Sequence, residues 1–247
     1  MTSPETIRHA ENRPADGLKT DTLAASVAIL LILTVVQRGV GFLRGVLFCR
    51  WLDADQLGQW DMAFGFLMLA APLAVLGLPG SFGRYVEHYR QRGQLKTFLV
   101  RTLGCTVLLT GLAVAAIWLA RGWFSRLIFG SPQHVELVMV LALGLGVVSI
   151  GNALQSLLTA LRQVKVVSIM HFCNSLLFAL GGIGLLLFWR ISTVSVVVAF
   201  VGACLLTGLA ALVWVGRIWK TLPSAGAVLP HRSLWGKLAP FAFWLWL

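Results

Sequence analysis

The chain has 247 residues, of which 58% are apolar and only 12% carry a formal charge. Soluble proteins average about 25% charged residues, so this composition excludes an ordinary soluble domain and indicates a membrane protein. Lysine and arginine exceed the acids and leave a net charge of +11. The bases lie mainly in loops between apolar runs, which excludes nucleic acid as a partner. The four cysteines lack metal-ligand spacing and are typical of small hydrophobic residues.

Residues 1–22 are polar, mix acids with bases and contain Pro4 and Pro14. They lack the short charged start and apolar centre of a signal peptide. We therefore expect a polar cytoplasmic tail before the first apolar stretch.

Six apolar stretches follow, each long enough to cross a bilayer core of roughly 30 Å as a helix. They are Leu23–Phe48, Met62–Phe82, Thr102–Ala120, Leu137–Leu161, Val166–Trp189 and Val194–Gly216. Pro72 and Pro79 predict that the second span is kinked or ends early. The predicted fold class is an all-α integral membrane protein, with a six-helix transmembrane lobe at residues 23–216.

Residues 217–237 form a predicted cytoplasmic loop, and a seventh transmembrane helix begins at Leu238 and is cut off at Leu247. We expect the sequence to end in the middle of this helix, which would occupy residues 238–247. The longest internal loops, 83–101 and 217–237, have room for a short surface helix.

The loops on the side of the N-terminal tail carry fourteen bases, and those on the opposite side carry four. The positive-inside rule therefore predicts a cytoplasmic N-terminus. We expect a multi-pass protein of the plasma (inner) membrane. Tryptophans cluster near both ends of the spans, as in an interfacial belt in contact with lipid headgroups. Trp51, Trp60 and Trp118 are assigned to the outer belt, and Trp214 and Trp219 to the inner one.

Gln37, Arg38 and Arg44 lie inside the first span, where a central arginine costs about 2.5–3.5 kcal/mol on a translocon scale. At 100° per residue they share an arc of about 120° with Thr34, and apolar residues fill most of the remaining circumference. In one interpretation, Arg44 extends to the headgroups and Arg38 pairs with carbonyl groups of a neighbouring helix. In the other, both arginines face a water-filled cavity and bind an anion such as a diphosphate, which suits the planar donors of a guanidinium.

Milder polar faces recur in the fourth and fifth spans, each covering about 120° of arc. Their members are Ser149, Asn152, Gln155, Ser156 and Thr159 in the fourth span, and Ser168, His171, Asn174 and Ser175 in the fifth. Hydrogen bonds between helices explain these faces, or the residues line the cavity of a transporter. The additional candidate cavity-lining residues are therefore Asn152, Gln155, His171 and Asn174, together with Thr34 of the first span.

The sequence contains no His-Glu-x-x-His, phosphate-binding glycine loop or Gly-x-Ser-x-Gly motif, so we predict no enzyme activity, cofactor or metal. Asp53-Ala-Asp55 matches the Asp-x-Asp pattern of sugar transferases. It precedes the second span in an outer loop, where a solvated turn is the ordinary explanation.

Two stretches resemble a known family: GFLRGVLFCRWLDADQLGQW (Gly41–Trp60) and AVLGLPGSFGRYVEHYRQRGQL (Ala74–Leu95). They resemble the polysaccharide-transporter branch of the multidrug/oligosaccharidyl-lipid/polysaccharide exporter superfamily. This branch comprises the Wzx-like flippases of lipopolysaccharide O-antigen and exopolysaccharide synthesis.

The resemblance implies two six-helix lobes around a cationic cavity, and a polyprenyl-diphosphate-linked oligosaccharide as the substrate that is flipped to the outer leaflet. It also implies that Arg38 and Arg44 lie where members of the superfamily have cavity arginines. Together with Gln37, they are the predicted diphosphate-binding residues, and Arg84 is a weaker candidate. Substrate and membrane lipids are the expected partners.

The predicted spans amount to one lobe, whereas alternating access needs two. We therefore expect a fragment, a truncated gene product or half of a split transporter, with the C-terminal lobe missing or supplied by a partner chain. A multidrug-type exporter is an alternative that the intramembrane arginines disfavour. The sequence also leaves open a membrane-embedded sugar transferase and a non-functional truncated remnant.

Overall fold

The computed structural model describes residues 17–221, and side chains from residue 28 to residue 219 with the exception of residue 29. All regular secondary structure in this range is helical, and short turns join the helices. The α-helices are α1 Gly17–Trp51, α2 Ala54–Ala74, α3 Phe82–Gln91, α4 Leu95–Leu119, α5 Arg121–Phe129, α6 Val135–Ala160, α7 Val164–Phe188 and α8 Thr193–Thr221. The start of the predicted tail, nearly all of the predicted 217–237 loop and the predicted seventh helix lie outside the described residues.

Five segments of this range are long and apolar enough to cross a membrane. They are Leu30–Trp51, Leu95–Leu119, Pro132–Ala160, Val164–Phe188 and Thr193–Trp219. A sixth span results if α2 and the segment Leu78–Gln91, which are bent by 59° at a short break, count as one. The all-α membrane fold predicted from the sequence is confirmed.

The second predicted span, Met62–Phe82, is not one continuous helix. Pro72 lies inside α2 and weakens the turn before it, because proline has no N–H to donate. α2 ends two residues later, at Ala74. Leu76 and Gly77 then adopt positive φ angles of 49° and 68° and redirect the chain. A 3-10 turn over Leu78–Ser81, with a proline in its first turn, leads into α3. The predicted kink is thus confirmed, and α3 is the short surface helix expected in the following loop.

Other boundaries also differ from the predictions. α1 begins at Gly17, inside the predicted tail, instead of at Leu23, and α2 begins at Ala54 instead of Met62. The third span begins at Leu95 instead of Thr102, because Leu95 and Phe98 are fully buried and continue the apolar face of α4. The loop after α4 contains α5, a nine-residue helix that the sequence did not predict. Buried Ser125 of α5 donates a hydrogen bond to the carbonyl of Ser131 at 2.7 Å. A helix this short gives too few turns for a clear apolar periodicity.

α6 is the central helix and packs against α2, α4 and α8, whereas α1 lies at the edge and packs mainly against α7. One apolar core surrounds Leu67, Leu141 and Leu145, and a second surrounds Phe82 and Phe98. The second core lies beside α3 and the turn 161–163, at what we call the basic end of the bundle. The opposite end, where α5 and the loops 52–53 and 189–192 lie, is called the α5 end.

Candidate functional site

A polar cleft opens between the 3-10 turn Leu78–Ser81, α3, α6 and α7 at the basic end, with a volume of about 660 Å³. Its wall contains Asn152, Gln155, Ser156 and Thr159 of α6 and His171 of α7, opposite Pro79, Gly80 and Gly83. The polar residues of α6 recur every three or four positions, so they form one stripe along the helix. The polar face predicted for the fourth span is therefore the wall of this cleft.

Two smaller hollows adjoin the opening and share Asn152 with it. The first has a volume of about 270 Å³ and lies against the end of α2, with Pro72 and Ser149 in its wall. The second has a volume of about 240 Å³, extends deeper between α6, α7 and α8, and is lined by Asn174 and Thr207. We call the three spaces together the polar cleft.

The predicted candidates Asn152, Gln155, His171 and Asn174 all line this cleft. Asn174 also accepts a hydrogen bond at its Oδ1 from Thr207 Oγ1, at 3.3 Å. Prediction from the sequence missed Thr207, although it is the only hydroxyl residue between positions 196 and 216. A lone threonine in an apolar span is a weak signal, because its hydroxyl can bond to its own helix, as it does here to the carbonyl of Ala203.

Two features of the cleft wall have direct energetic consequences. Asn152 and His171 are exposed in spanning helices, and an amide or imidazole that faced hydrocarbon without a partner would be costly. This face therefore meets water or other polar groups. Ser149 is the opposite case: it is 1% exposed, and its Oγ has no hydrogen-bond partner among the described residues.

The residues of the polar arc predicted for the first span differ in burial, because α1 packs against α7 along only part of that arc. A stripe that includes Gln37, Arg44 and Phe48 is partly or fully buried, on the side where α1 meets α7. Arg38 and Thr34 are exposed, and the Thr34 hydroxyl donates to the carbonyl of its own helix at 2.8 Å. None of these residues lines the three spaces of the polar cleft.

Arg44 lies over an aromatic side chain, with its guanidinium carbon 4.0 Å from the centre of the Phe178 ring. Such a cation–π contact stabilises a charge by about 0.5–1 kcal/mol at exposed sites and by more where water is excluded. The side chain remains partly exposed. The contact therefore holds Arg44 against α7 and leaves part of the guanidinium accessible.

Phe178 belongs to a cluster of five rings that joins four helices. Its members are Phe48 of α1, Trp60 and Phe64 of α2, Phe178 of α7 and Phe200 of α8, and neighbouring ring centroids are 5.2 to 5.9 Å apart. We call it the aromatic cluster. Phe64 and Phe200 also line the polar cleft, so the aromatic cluster forms its floor toward the α5 end.

The sequence assigns Trp60 to the belt of interfacial tryptophans, and this assignment is wrong. Trp60 is 9% exposed and packs inside the aromatic cluster. Trp118, by contrast, is exposed near the α5 end, as the belt predicts. Position near a helix end did not distinguish the two tryptophans, because burial depends on whether a residue lies on the side of its helix that faces the core.

Three further predicted residues lie apart from the cleft or at its margin. Arg84 is exposed on α3, next to the cleft residue Gly83, and its guanidinium lies 5.9 Å from the ring centre of Tyr85. Asp53 precedes α2 and Asp55 lies in its first turn, and both are exposed. Acids at a helix N-terminus are favourable with respect to the helix dipole, so the solvated-turn explanation accounts for both.

These features define the class of protein: a multi-pass membrane protein whose spanning helices enclose a polar cleft. The family described as polysaccharide biosynthesis protein matches residues 23–247. The chain belongs to this family and is a membrane protein of polysaccharide biosynthesis and export. The match supports the family resemblance of the sequence at this level. No curated protein and no solved structure matches the chain.

Proposed function

We propose that the protein is a flippase that moves a polyprenyl-diphosphate-linked oligosaccharide from the cytoplasmic to the outer leaflet of the plasma membrane. The observation that carries the proposal is the polar cleft among spanning helices, in a chain of the polysaccharide biosynthesis family. A sugar headgroup cannot cross the hydrocarbon core of a bilayer without a polar path, because its hydroxyls would lose their hydrogen bonds. The cleft offers part of such a path.

In this proposal Arg38, Arg44 and Gln37 bind the diphosphate. Arginine guanidinium groups pair with phosphate oxygens through two parallel hydrogen bonds, and the glutamine amide adds a neutral donor. Arg38 is exposed and Arg44 is partly exposed, so both have space for a ligand. The protein performs no covalent chemistry in this scheme, and binding and conformational change alone move the substrate.

The proposal includes an orientation and a second lobe. The N-terminus and the basic end face the cytoplasm, since the loops there carry the excess of bases. The polar cleft then opens toward the leaflet from which the substrate starts. A second lobe, in the same or a partner chain, covers the exposed polar face, as alternating access between two lobes requires.

Deletion of the gene in its native cells tests the proposal. Cells without the protein should lose surface polysaccharide and accumulate the lipid-linked oligosaccharide in the cytoplasmic leaflet, where an added impermeant sugar oxidant cannot reach it in intact cells. Return of the full-length gene should restore both measurements. Normal surface polymer in the deletion cells, or accumulation in the outer leaflet, contradicts the flippase role.

A further inference from the structure

We infer that the polar cleft binds the glycan of the substrate through neutral hydrogen-bonding groups, and that the diphosphate binds elsewhere. This inference rests on the proposed function and deepens it. It assigns to the cleft a ligand class, uncharged or weakly charged sugars rich in hydroxyl groups. It also implies that the glycan and the diphosphate of one substrate molecule bind to two different regions of the protein.

The chemistry of the wall favours sugars over an anion. The lining residues of the cleft include no Asp, Glu, Lys or Arg among the described residues, whereas amides and hydroxyls are frequent. A diphosphate offers acceptors only and is bound best by cationic donors. Sugar hydroxyls both donate and accept, and the asparagine and glutamine amides and the serine and threonine hydroxyls of the wall do the same.

Ser149 supplies an independent observation. Its hydroxyl is 1% exposed, lies in the wall of the cleft beside Pro72, and has no protein partner among the described residues. Leaving such a group unpaired costs about 1–3 kcal/mol, so a buried hydroxyl in a cleft wall is normally paired. Its Oγ has almost no surface open to water in this conformation, so a ligand hydroxyl in the cleft reaches it only after a small movement of the wall.

The floor of the cleft suits the apolar face of a sugar ring. Phe64 and Phe200 of the aromatic cluster line its deep end, together with Met68. Pyranose rings have an apolar face of C–H groups that packs against aromatic rings, while their hydroxyls point outward to polar partners. The opening, at about 660 Å³, is in the range of sites that bind small molecules.

The diphosphate-binding region lies near this floor. The Arg44 guanidinium contacts Phe178, and the Phe178 ring lies 5.2 Å from that of Phe200. Only the Phe178 ring therefore lies between the guanidinium of Arg44 and the Phe200 ring of the cleft wall. A glycan of several sugars that is attached to one diphosphate is long enough to engage both regions.

Thiol protection in the purified full-length protein tests the assignment. Cys49, Cys105, Cys173 and Cys204 are replaced by alanine, and a single reporter cysteine is introduced by Ser156→Cys in the cleft. Thr159→Cys, at an exposed cleft position, is a second reporter in case the first protein does not fold. Gln133→Cys, exposed near α5, is the matched control outside the cleft. The probes are the oligosaccharide released by mild acid from the lipid-linked pool of the native cells, and inorganic diphosphate.

We expect the released oligosaccharide to slow modification of the cleft reporter by a hydrophilic maleimide at least about threefold near saturation, because a bound ligand excludes the reagent. It should leave the control unchanged, and diphosphate should change neither rate. Addition of Asn152→Leu should remove the protection.

Three other results are informative. Protection by diphosphate without protection by the oligosaccharide makes the cleft a phosphate site, which overturns the inference and leaves the flippase proposal intact. No protection by either probe, with a reporter protein that still restores surface polymer to deletion cells, removes the glycan site and also leaves the flippase proposal intact. Normal surface polymer in the deletion cells contradicts the flippase proposal itself, whatever the protection result.

Discussion

Helix α1 and the polar cleft place polar groups in the membrane in different ways. α1 carries two arginines, Arg38 and Arg44, well inside its span and packs mainly against one neighbour. None of its most apolar stretch is buried inside the structure. The cleft has amides, hydroxyls and the imidazole of His171 from α6, α7 and α8, and α8 packs closely against both α6 and α7. A charge at membrane depth is therefore held at the edge of the bundle, and weaker polar groups are held within it.

The difference indicates distinct roles for stability and function. Charged residues inside a membrane are expensive and are normally retained for function, so α1 should tolerate loss of its arginines without unfolding. The cleft helices share an apolar core, so changes there affect packing as well as ligand binding. Substitutions in the two regions test this division, from the largest expected effect to the smallest.

Replacement of Arg44 by alanine should abolish function and spare the fold. Loss of a hydrogen bond to a charged group costs roughly 1.5–3 kcal/mol, so surface polymer should fall by at least about tenfold in complemented deletion cells. Arg38→Ala should have the same direction of effect. Arg44→Lys should recover only part of the activity, because lysine keeps the charge but lacks the planar pair of donors.

The matched control is Arg126→Ala, which removes an exposed arginine of α5 and should leave polymer unchanged. Membrane insertion is measured in parallel by the amount of protein in washed membranes. Normal polymer with both Arg44→Ala and Arg38→Ala would remove the diphosphate role from α1.

Gly182 holds α1 against α7 by allowing a close approach. A Cβ at this position would lie 2.7 Å from Cζ of Phe48, the buried ring by which α1 contacts α7. Gly182→Ala should therefore destabilise the protein by about 1–3 kcal/mol, the usual cost of overpacking. The measurement is thermal unfolding in detergent.

Gly184→Ala on the same helix is the control, since its Cβ would meet no atom within 4 Å. Any effect on helix propensity or chain flexibility is common to both variants, so the difference between them reports the contact with Phe48. Equal stability of the two variants would mean that Phe48 moves aside at little cost and that α1 is loosely attached.

The spans of the fold could be predicted from the sequence because length and hydropathy determine them almost alone. Pro72 similarly gave the break after α2, since a missing N–H has a local effect. The short helix α5 and the burial of Trp60 could not be predicted, because both depend on which neighbours pack against them. Hydropathy and the chemistry of one proline were sufficient to predict the spans and the break after α2. Tertiary packing determined helix α5 and the burial of Trp60.

The candidate site shows the same limit. Periodicity placed Asn152, Gln155 and His171 on polar faces, and those faces line the cleft. The same periodicity placed Arg38 and Arg44 in one arc, yet α7 covers part of one residue and leaves the other exposed. An arc of about 120° is wider than the contact between two helices. The sequence pattern alone therefore could not show which residues of the arc are buried against α7 and which are exposed.

The smallest expected effect concerns the hydrogen bond between α7 and α8. Thr207→Val removes a donor that lies 3.3 Å from Asn174 Oδ1 and keeps nearly the same shape. Hydrogen bonds between membrane helices contribute about 0.6 kcal/mol on average, so the expected loss of stability is of that order. Thr106→Val is the control, because the Thr106 hydroxyl is also buried and bonds to a carbonyl of its own helix, as that of Thr207 does to Ala203. The Thr207 variant additionally loses the contact with Asn174. A double-mutant cycle with Asn174→Leu isolates the coupling between the two helices. A coupling energy of zero would mean that the single Thr207 proton goes to the carbonyl of Ala203, 2.9 Å away, and that this hydroxyl does not join the two helices.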